Sequence, residues 1–352
     1  MSNTRFREID VGGSFFEMGQ QIGEAARDEI GGFAAIALER MNQTICVSRE
    51  KAFSIARQSF AFVESYAPHL IEELKGMAHS SGVSIDDLMM LQIRNQLRAD
   101  ADAGCTSFAL KSPTGQTSVV GQNWDNDPAL TPYTVVLKRR PKDKPALMTI
   151  TQAGLIAYIG LNDVGIGICL NTLPAPSRPL GVPHYFTVRG IYETTSLSGA
   201  VDAVKRAQRA IPANIILSTP QGPADLEVTV DDVHVITDQG AGVVTHTNHC
   251  EHPDLQPING QFPDLIQSRA RKVRIQKLFG NINRPMVIDS LKNALRDHEN
   301  HPRSICRHPN EDAQTGYWAT VFSVLIEPDT GCMHISRGNP CEQPYEVYSL
   351  TA

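Results

Sequence analysis

The chain has 352 residues, enough for one large domain or two ordinary ones with ample core. Its 41% hydrophobic and 20% charged content is that of a soluble globular protein, and its net charge of −6 comes without a run of lysine or arginine. A nucleic-acid partner and a membrane are therefore not expected: no stretch reaches the roughly eighteen apolar residues of a span, and Met1-Ser-Asn-Thr-Arg-Phe-Arg-Glu8 lacks the apolar core of a signal peptide.

In chain order, the first hundred residues read mainly as helix. Phe15 to Met41 is rich in Ala, Glu, Gln and Ile, with apolar residues three or four apart. Proline opens the next segment, Ala67-Pro68 to Met77, and Ser84-Ile-Asp-Asp87 caps a further helix running to about Leu97. The pattern changes at Cys105. Thr106 to Leu110 and Thr117 to Val120 read as strands around a turn at Ser112–Gln116. Three more hairpins follow, around Asn162-Asp163, Pro220-Gln-Gly222 and Pro328-Asp-Thr-Gly331, with helices near 184–209, 264–279 and 286–297. Hairpins interspersed with helices predict antiparallel sheets covered by helices, not a doubly wound parallel sheet. Pro174-Ala-Pro-Ser-Arg-Pro179 is a stiff polar loop, a surface connection or a lid. The densest basic stretch, Arg269-Ala-Arg-Lys-Val-Arg274, fits the solvated face of a helix better than a nucleic-acid site.

The seven cysteines are odd in number and scattered, with no Cys-x-x-Cys, which predicts a reducing cytoplasm and no disulfide framework. One of them, in Gly104-Cys105-Thr106, carries chemical meaning. A cysteine after glycine can attack the glycine carbonyl and cut its own backbone. The cut leaves a new N-terminus holding a thiol and an α-amine base on one residue. The dipeptide alone is weak, because chance gives about 0.5 Gly-Cys pairs at this composition, and Gly331-Cys332 is a second. Register adds more. If the hairpin turns on Thr114-Gly115, paired positions sum to about 229 and Cys105 faces Trp124. Asp125, in Gly121-Gln-Asn-Trp-Asp125, then ends the neighbouring strand beside the cysteine. It reads as a partner for the freed amine, or more blandly as a surface carboxylate. Val243-Val-Thr-His-Thr-Asn-His-Cys250 is an apolar strand ending in polar groups, which could line an oxyanion site or serve structure alone. Zinc binding by His246, His249, Cys250 and His252 is the third reading, weakened by alternating faces and no distant partner pair. A papain-like reading fails because that cysteine opens a helix, whereas Cys105 opens a strand.

Gly104-Cys105-Thr106, Gly121–Asp125, Gly181-Val-Pro183, Glu193-Thr-Thr-Ser196, His246–Cys250 and Ser304-Ile-Cys-Arg307 together resemble the acyl-CoA:6-aminopenicillanic acid acyltransferase (isopenicillin N acyltransferase) family of cysteine N-terminal-nucleophile hydrolases. The six motifs are collinear between Gly104 and Arg307, and the resemblance spans nearly the whole chain. The resemblance implies an α+β fold, an αββα sandwich of two antiparallel sheets between helical layers. It also implies self-cleavage between Gly104 and Cys105 into a mainly helical segment, 1–104, and a β segment, 105–352, which stay associated as one domain. Matched residue by residue, Cys105 is the nucleophile, Asp125 the neighbouring carboxylate and Asn248 an oxyanion-hole donor. Thr229 stands where the family has a serine linked to processing. The family's Ser-Arg pair upstream of Ala319-Thr-Val-Phe322 becomes Gly316-Tyr317, so the charge that would hold an anionic substrate is missing. This predicts a self-processing acyltransferase or amidohydrolase acting on small N-acyl compounds through a thioester on Cys105, with poor transfer to 6-aminopenicillanic acid. No cofactor or metal is expected beyond acyl-CoA as a co-substrate. The alternative is an unprocessed, inactive relative that binds small molecules.

Overall fold

The computed structural model describes residues 4–43, 46–97, 104–111, 118–238, 242–262, 264–281, 287–313 and 315–351. The predicted turn at 112–116 lies outside them. The strands it joins do not: β2 (Cys105–Lys111) and β3 (Ser118–Asn126) form an antiparallel ladder pairing Cys105 with Trp124, the register read from the sequence.

The N-terminal segment is not wholly helical. Its first element is a strand, β1 (Arg7–Gly13), followed by α1 (Phe15–Ala25), α2 (Arg27–Met41), α3 (Arg49–Tyr66), α4 (Pro68–Ser81) and α5 (Ile85–Ile93). The caps are those the sequence offers. Ser14 and Glu17 form a reciprocal capping box on α1, Pro68 opens α4, and Gly82 closes it at φ 77°. The long helix expected over 15–41 is broken at Ala26, whose φ of −112° is non-helical. Helices α1 and α4 approach closely through glycines: a Cβ on Gly19 would lie 2.1 Å from the Glu73 carbonyl, and one on Gly76 2.1 Å from that of Phe16.

After β3 come β4 (Thr134–Pro141), β5 (Leu147–Gln152), β6 (Ile159–Asn162), β7 (Gly167–Asn171), α6 (His184–Tyr192), α7 (Leu197–Arg206), β8 (Ala213–Thr219), β9 (Gly222–Val228), β10 (Val233–Thr237) and β11 (Val243–His246). The chain ends with α8 (Ser268–Asn281), α9 (Ile288–Leu295), β12 (Ala319–Glu327), β13 (Cys332–Arg337) and β14 (Tyr345–Ser349). One sheet has the order β1-β4-β5-β6-β7-β8-β9-β10 and the other β11-β2-β3-β12-β13-β14. They pack face to face through β2 and β3 against β7 and β8. Helices α1 and α2 cover the first sheet, and α8 and α9 the second. This is the αββα sandwich expected from the resemblance, with one departure from purely antiparallel sheets: β1 runs parallel to β4. Strands β2, β3, β8 and β9 are almost entirely buried, as sheets covered on both faces must be. No helix of the described residues is long and apolar enough to cross a membrane.

Candidate active site

Cys105 is the first residue of β2, a strand with neighbours on both sides, so its surroundings are set by two ladders. On one side β3 brings Asp125, whose backbone N–H donates to the Gly104 carbonyl at 2.8 Å. On the other, β11 pairs His246 with Ser107. Continuing that register by two residues places Asn248 beside Cys105, and Asn248 Oδ1 accepts a 2.9 Å hydrogen bond from the Cys105 nitrogen. The bond between Gly104 and Cys105 is thus held from both flanks.

A third group completes the cluster. Arg271, on α8 and 2% exposed, donates to the Cys105 carbonyl (2.5 Å), Thr106 Oγ1 (2.9 Å), Asn248 Oδ1 (2.7 Å) and the Ile266 carbonyl (2.9 Å). The basic stretch 269–274 is therefore only in part a solvated face: Arg269 is exposed, but Arg271 is not. Lys272 is also buried, bound to the Thr245 carbonyl and Glu251, and Arg274 pairs with Asp297. The missed signal was helical spacing: Ser268, Arg271, Lys272, Ile275 and Phe279 form the inward stripe of α8.

Asp125 is fully buried, which removes the surface-carboxylate reading. Its Oδ1 accepts from Thr320 Oγ1 at 2.7 Å. Its Oδ2 makes no hydrogen bond among the described residues but lies 3.7 Å from Arg307 Nε. That oxygen faces Gly104: a Cβ built there would lie 3.2 Å away. Burial pushes the Asp125 carboxyl up to about 6, opposed by Arg307 and Arg271. Burial, with the Asp125 charge, pushes the Cys105 thiol up to about 12, while Arg271 and hydrogen bonds from the Asp125 backbone and the Gln122 side chain oppose this. The thiol is therefore protonated, with the Asp125 backbone N–H hydrogen-bonded to it and the Asp125 charge acting on it. Neither Arg307 nor Thr320 had a role assigned from the sequence.

Other predicted residues stand elsewhere. Thr229 lies in the turn between β9 and β10, where its hydroxyl accepts from the Asp231 and Asp232 amides. Among the described contacts none joins it to Gly104 or Cys105. His246 is held by Glu227 at 2.8 Å: burial lowers its pKa, but Asp225, Glu227 and Glu251 outweigh this and hold it at about 9. His249 shares a hydrogen bond with Ser268 Oγ, and Cys250 Sγ faces the Pro174 carbonyl. Among the described residues, no three of His246, His249, Cys250 and His252 bring donor atoms together; His252 gathers instead with His234 and Asp254. Asn248, His249, Phe262 and Arg269 line a cleft with Pro174, so the proline-rich loop borders the site. Tyr317 lines a second cleft, between Arg94 and Trp318. There the Arg40 guanidinium sits 5.9 Å from its ring and pairs with Asp127 at 2.5 Å. The Arg40 charge beside Tyr317 is therefore already balanced by a carboxylate.

Two structures share part of this architecture: a penicillin V acylase from Agrobacterium tumefaciens (TM-score 0.48, 12% identity, covering 70% of this chain and 86% of that one) and a mutant conjugated bile acid hydrolase from Clostridium perfringens (0.46, 11%, 70% and 96%). In sequence the chain is 26% identical over 347 residues to the acyl-coenzyme A:6-aminopenicillanic-acid-acyltransferase 40 kDa form of Emericella nidulans, covering 95% of this chain and 93% of that protein. The family model of acyl-coenzyme A:6-aminopenicillanic acid acyl-transferase matches residues 112–342, and the chain belongs to that family.

Proposed function

We propose that the protein is a self-processing cysteine enzyme that makes or breaks amide bonds of small N-acyl compounds through an acyl-thioester on Cys105. The observation that carries this reading is the double clamp on one peptide bond, with the Gly104 oxygen on the Asp125 N–H and the Cys105 nitrogen on Asn248 Oδ1.

In maturation the Cys105 thiol loses its proton to Asp125 Oδ2, and Sγ attacks the Gly104 carbonyl carbon. Negative charge develops on the oxygen that already accepts from the Asp125 N–H. The C–N bond breaks as the nitrogen takes the proton, leaving a thioester and a free amine. Water then hydrolyses the thioester and releases the 1–104 segment. That segment stays attached because β1 is hydrogen-bonded into the sheet of the second segment through β4. An N–H lost from a buried ladder would go unpaired.

In turnover the α-amine of Cys105, with an ordinary pKa near 8, takes the thiol proton. The thiolate attacks the acyl donor, whose carbonyl oxygen occupies the place the Gly104 oxygen left. The leaving group, an amine from an N-acyl donor or the coenzyme A thiol from acyl-CoA, collects the proton, and water or an acceptor amine then takes the acyl group. Asn248 Oδ1 orients the amine, and Arg271 holds Asn248 and the Cys105 carbonyl. This assigns the Asn248 oxygen a positioning part beside the oxyanion part the resemblance implies. Thr229 is retained as a processing residue only through its fold position, supporting the turn beside β9. Complete site residues disfavour the inactive-binder alternative. Between transfer and hydrolysis, Tyr317 favours hydrolysis, and acyl-CoA is retained as a donor. A panel of acyl-CoA and N-acyl substrates, with and without an amine acceptor, separates the two.

The first test is intact mass. Purified protein should contain two co-eluting chains of roughly 11 and 27 kDa by proportion of length, and Cys105→Ala one uncut chain. Wild-type protein that stays whole after long incubation at neutral pH refutes the self-processing reading.

A further inference from the structure

A second constellation lies outside the catalytic cluster, where three separate pieces of chain converge. His298 follows α9, Cys306 and His308 lie in the connection to β12, and Cys341 lies between β13 and β14. The two sulfurs are 3.6 Å apart. His308 Nε2 is 3.7 Å from Cys306 Sγ, 3.4 Å from Cys341 Sγ and 3.2 Å from His298 Nε2. All four donor atoms lie within 4.8 Å of one another.

The geometry points to a tetrahedral zinc-type site formed by Cys306, Cys341, His308 and His298. Zinc bonds of about 2.3 Å to sulfur and 2.0–2.1 Å to nitrogen place tetrahedral ligands about 3.8 Å (S–S), 3.6 Å (S–N) and 3.3 Å (N–N) apart. The closest contacts match these edges to a few tenths of an ångström. The donor set is two soft sulfurs and two imidazoles, the combination that selects zinc over magnesium or calcium. Partners surround the ligands as metal sites require: the Glu342 carboxylate lies 3.7 Å from His308 Nδ1, and Asn339 Nδ2 donates to Cys306 Sγ. Binding releases the two thiol protons to solvent and forms two thiolate–metal bonds, with no oxidation or reduction. Sequence reading missed the site because the ligands are spaced 298, 306, 308 and 341, with no Cys-x-x-Cys to announce them.

The site has a consequence for catalysis. Arg307 stands between two ligands, and its side chain runs the other way to Asp125, at 3.7 Å. Its backbone is fixed by Thr320 and by Asn339, which donates to its carbonyl. A metal gripping residues 306 and 308 therefore positions Arg307 against the catalytic carboxylate.

Elemental analysis of the tag-free protein, purified from zinc-supplemented cells and dialysed, tests this. About one zinc per chain is expected, falling at least tenfold in Cys306→Ser and in His308→Ala. Cys341→Ser, a change at the surface, guards against a folding artefact: it should keep the wild-type circular dichroism while losing the metal. Cobalt(II) added to the metal-free protein should give the intense visible absorption of a tetrahedral thiolate site, absent in Cys341→Ser. Thiol titration of the denatured protein with and without reductant supplies the opposing outcome. Two thiols appearing only after reduction, with no bound metal, would make Cys306 and Cys341 a disulfide and overturn the proposal. Folded wild type that takes up neither zinc nor cobalt would overturn it equally.

Discussion

Asn248 offers the sharpest test of the catalytic geometry, because its two side-chain atoms do different things. Oδ1 accepts from the Cys105 nitrogen at 2.9 Å and from Arg271 at 2.7 Å, while Nδ2 donates to the Thr172 carbonyl at 3.0 Å. Asn248→Ala removes both functions; Asn248→Asp keeps the acceptor and removes the donor. A hydrogen bond to a charged partner is worth about 1.5–3 kcal/mol, so losing the amine anchor should slow turnover about 10- to 150-fold. Loss of an oxyanion donor costs about 10²–10³. If Oδ1 positioning dominates, the aspartate variant, its charge balanced by Arg271, should retain at least tenfold more activity than the alanine variant. The assay is hydrolysis of an N-acyl amide by material shown by mass to be fully cut. It is paired with the pH profile of Cys105 alkylation, which reads the thiol that the amine deprotonates and should shift in Asn248→Ala. Should the aspartate variant be as slow as alanine, with wild-type alkylation profiles in both, Nδ2 is the working atom and the positioning argument is wrong.

Self-cleavage should depend on Asp125. Burial holds this carboxyl at about 6, above its ordinary 3.8, so it can take the thiol proton only above that pH. Time courses by gel should slow as pH falls through about 6, and Asp125→Asn should be slow throughout; a wild-type rate independent of pH between 5 and 7 would remove Asp125 as the base. The same raised pKa favours the fold below about pH 4 and loses that contribution as pH rises through about 6, so an uncut Cys105→Ala chain should lose part of its stability across that window while Cys105→Ala/Asp125→Asn should not. Gly104→Ala places a Cβ 2.9 Å from Ile266 Cγ2 and 3.2 Å from Asp125 Oδ2; an overpacking cost of about 1–3 kcal/mol should slow cleavage about 5- to 150-fold, and an unchanged rate would show that the close packing around Gly104 yields freely. Glu73, wholly buried between Arg139 (2.8 Å) and Arg189 (3.4 Å), ties α4 to β4 and α6. Glu73→Ala in the uncut background should cost about 3–5 kcal/mol in denaturant unfolding, and a loss below about 1 kcal/mol would show that the two arginines find other partners.

What the sequence determined by itself is local. Ser84 and Pro68 mark helix starts because capping chemistry acts within one turn. The pairing of Cys105 with Trp124 was legible because a hairpin's register follows from its turn. Asp125 followed from that register, and Asn248 from motif resemblance. Tertiary structure decided the rest. Strand β1 escaped notice because only its parallel partner β4, more than a hundred residues away, makes it a strand. Arg271 looked like solvent-facing charge, and nothing near it in the chain revealed that Cys105, Thr106 and Asn248 supply its acceptors. The raised Asp125 and Cys105 pKa values arise from burial between sheets, a property no local pattern encodes. Cys306, His308 and Cys341 converge for the same reason: ladder pairing and layer packing join distant segments, whereas turn and cap chemistry reads only immediate neighbours.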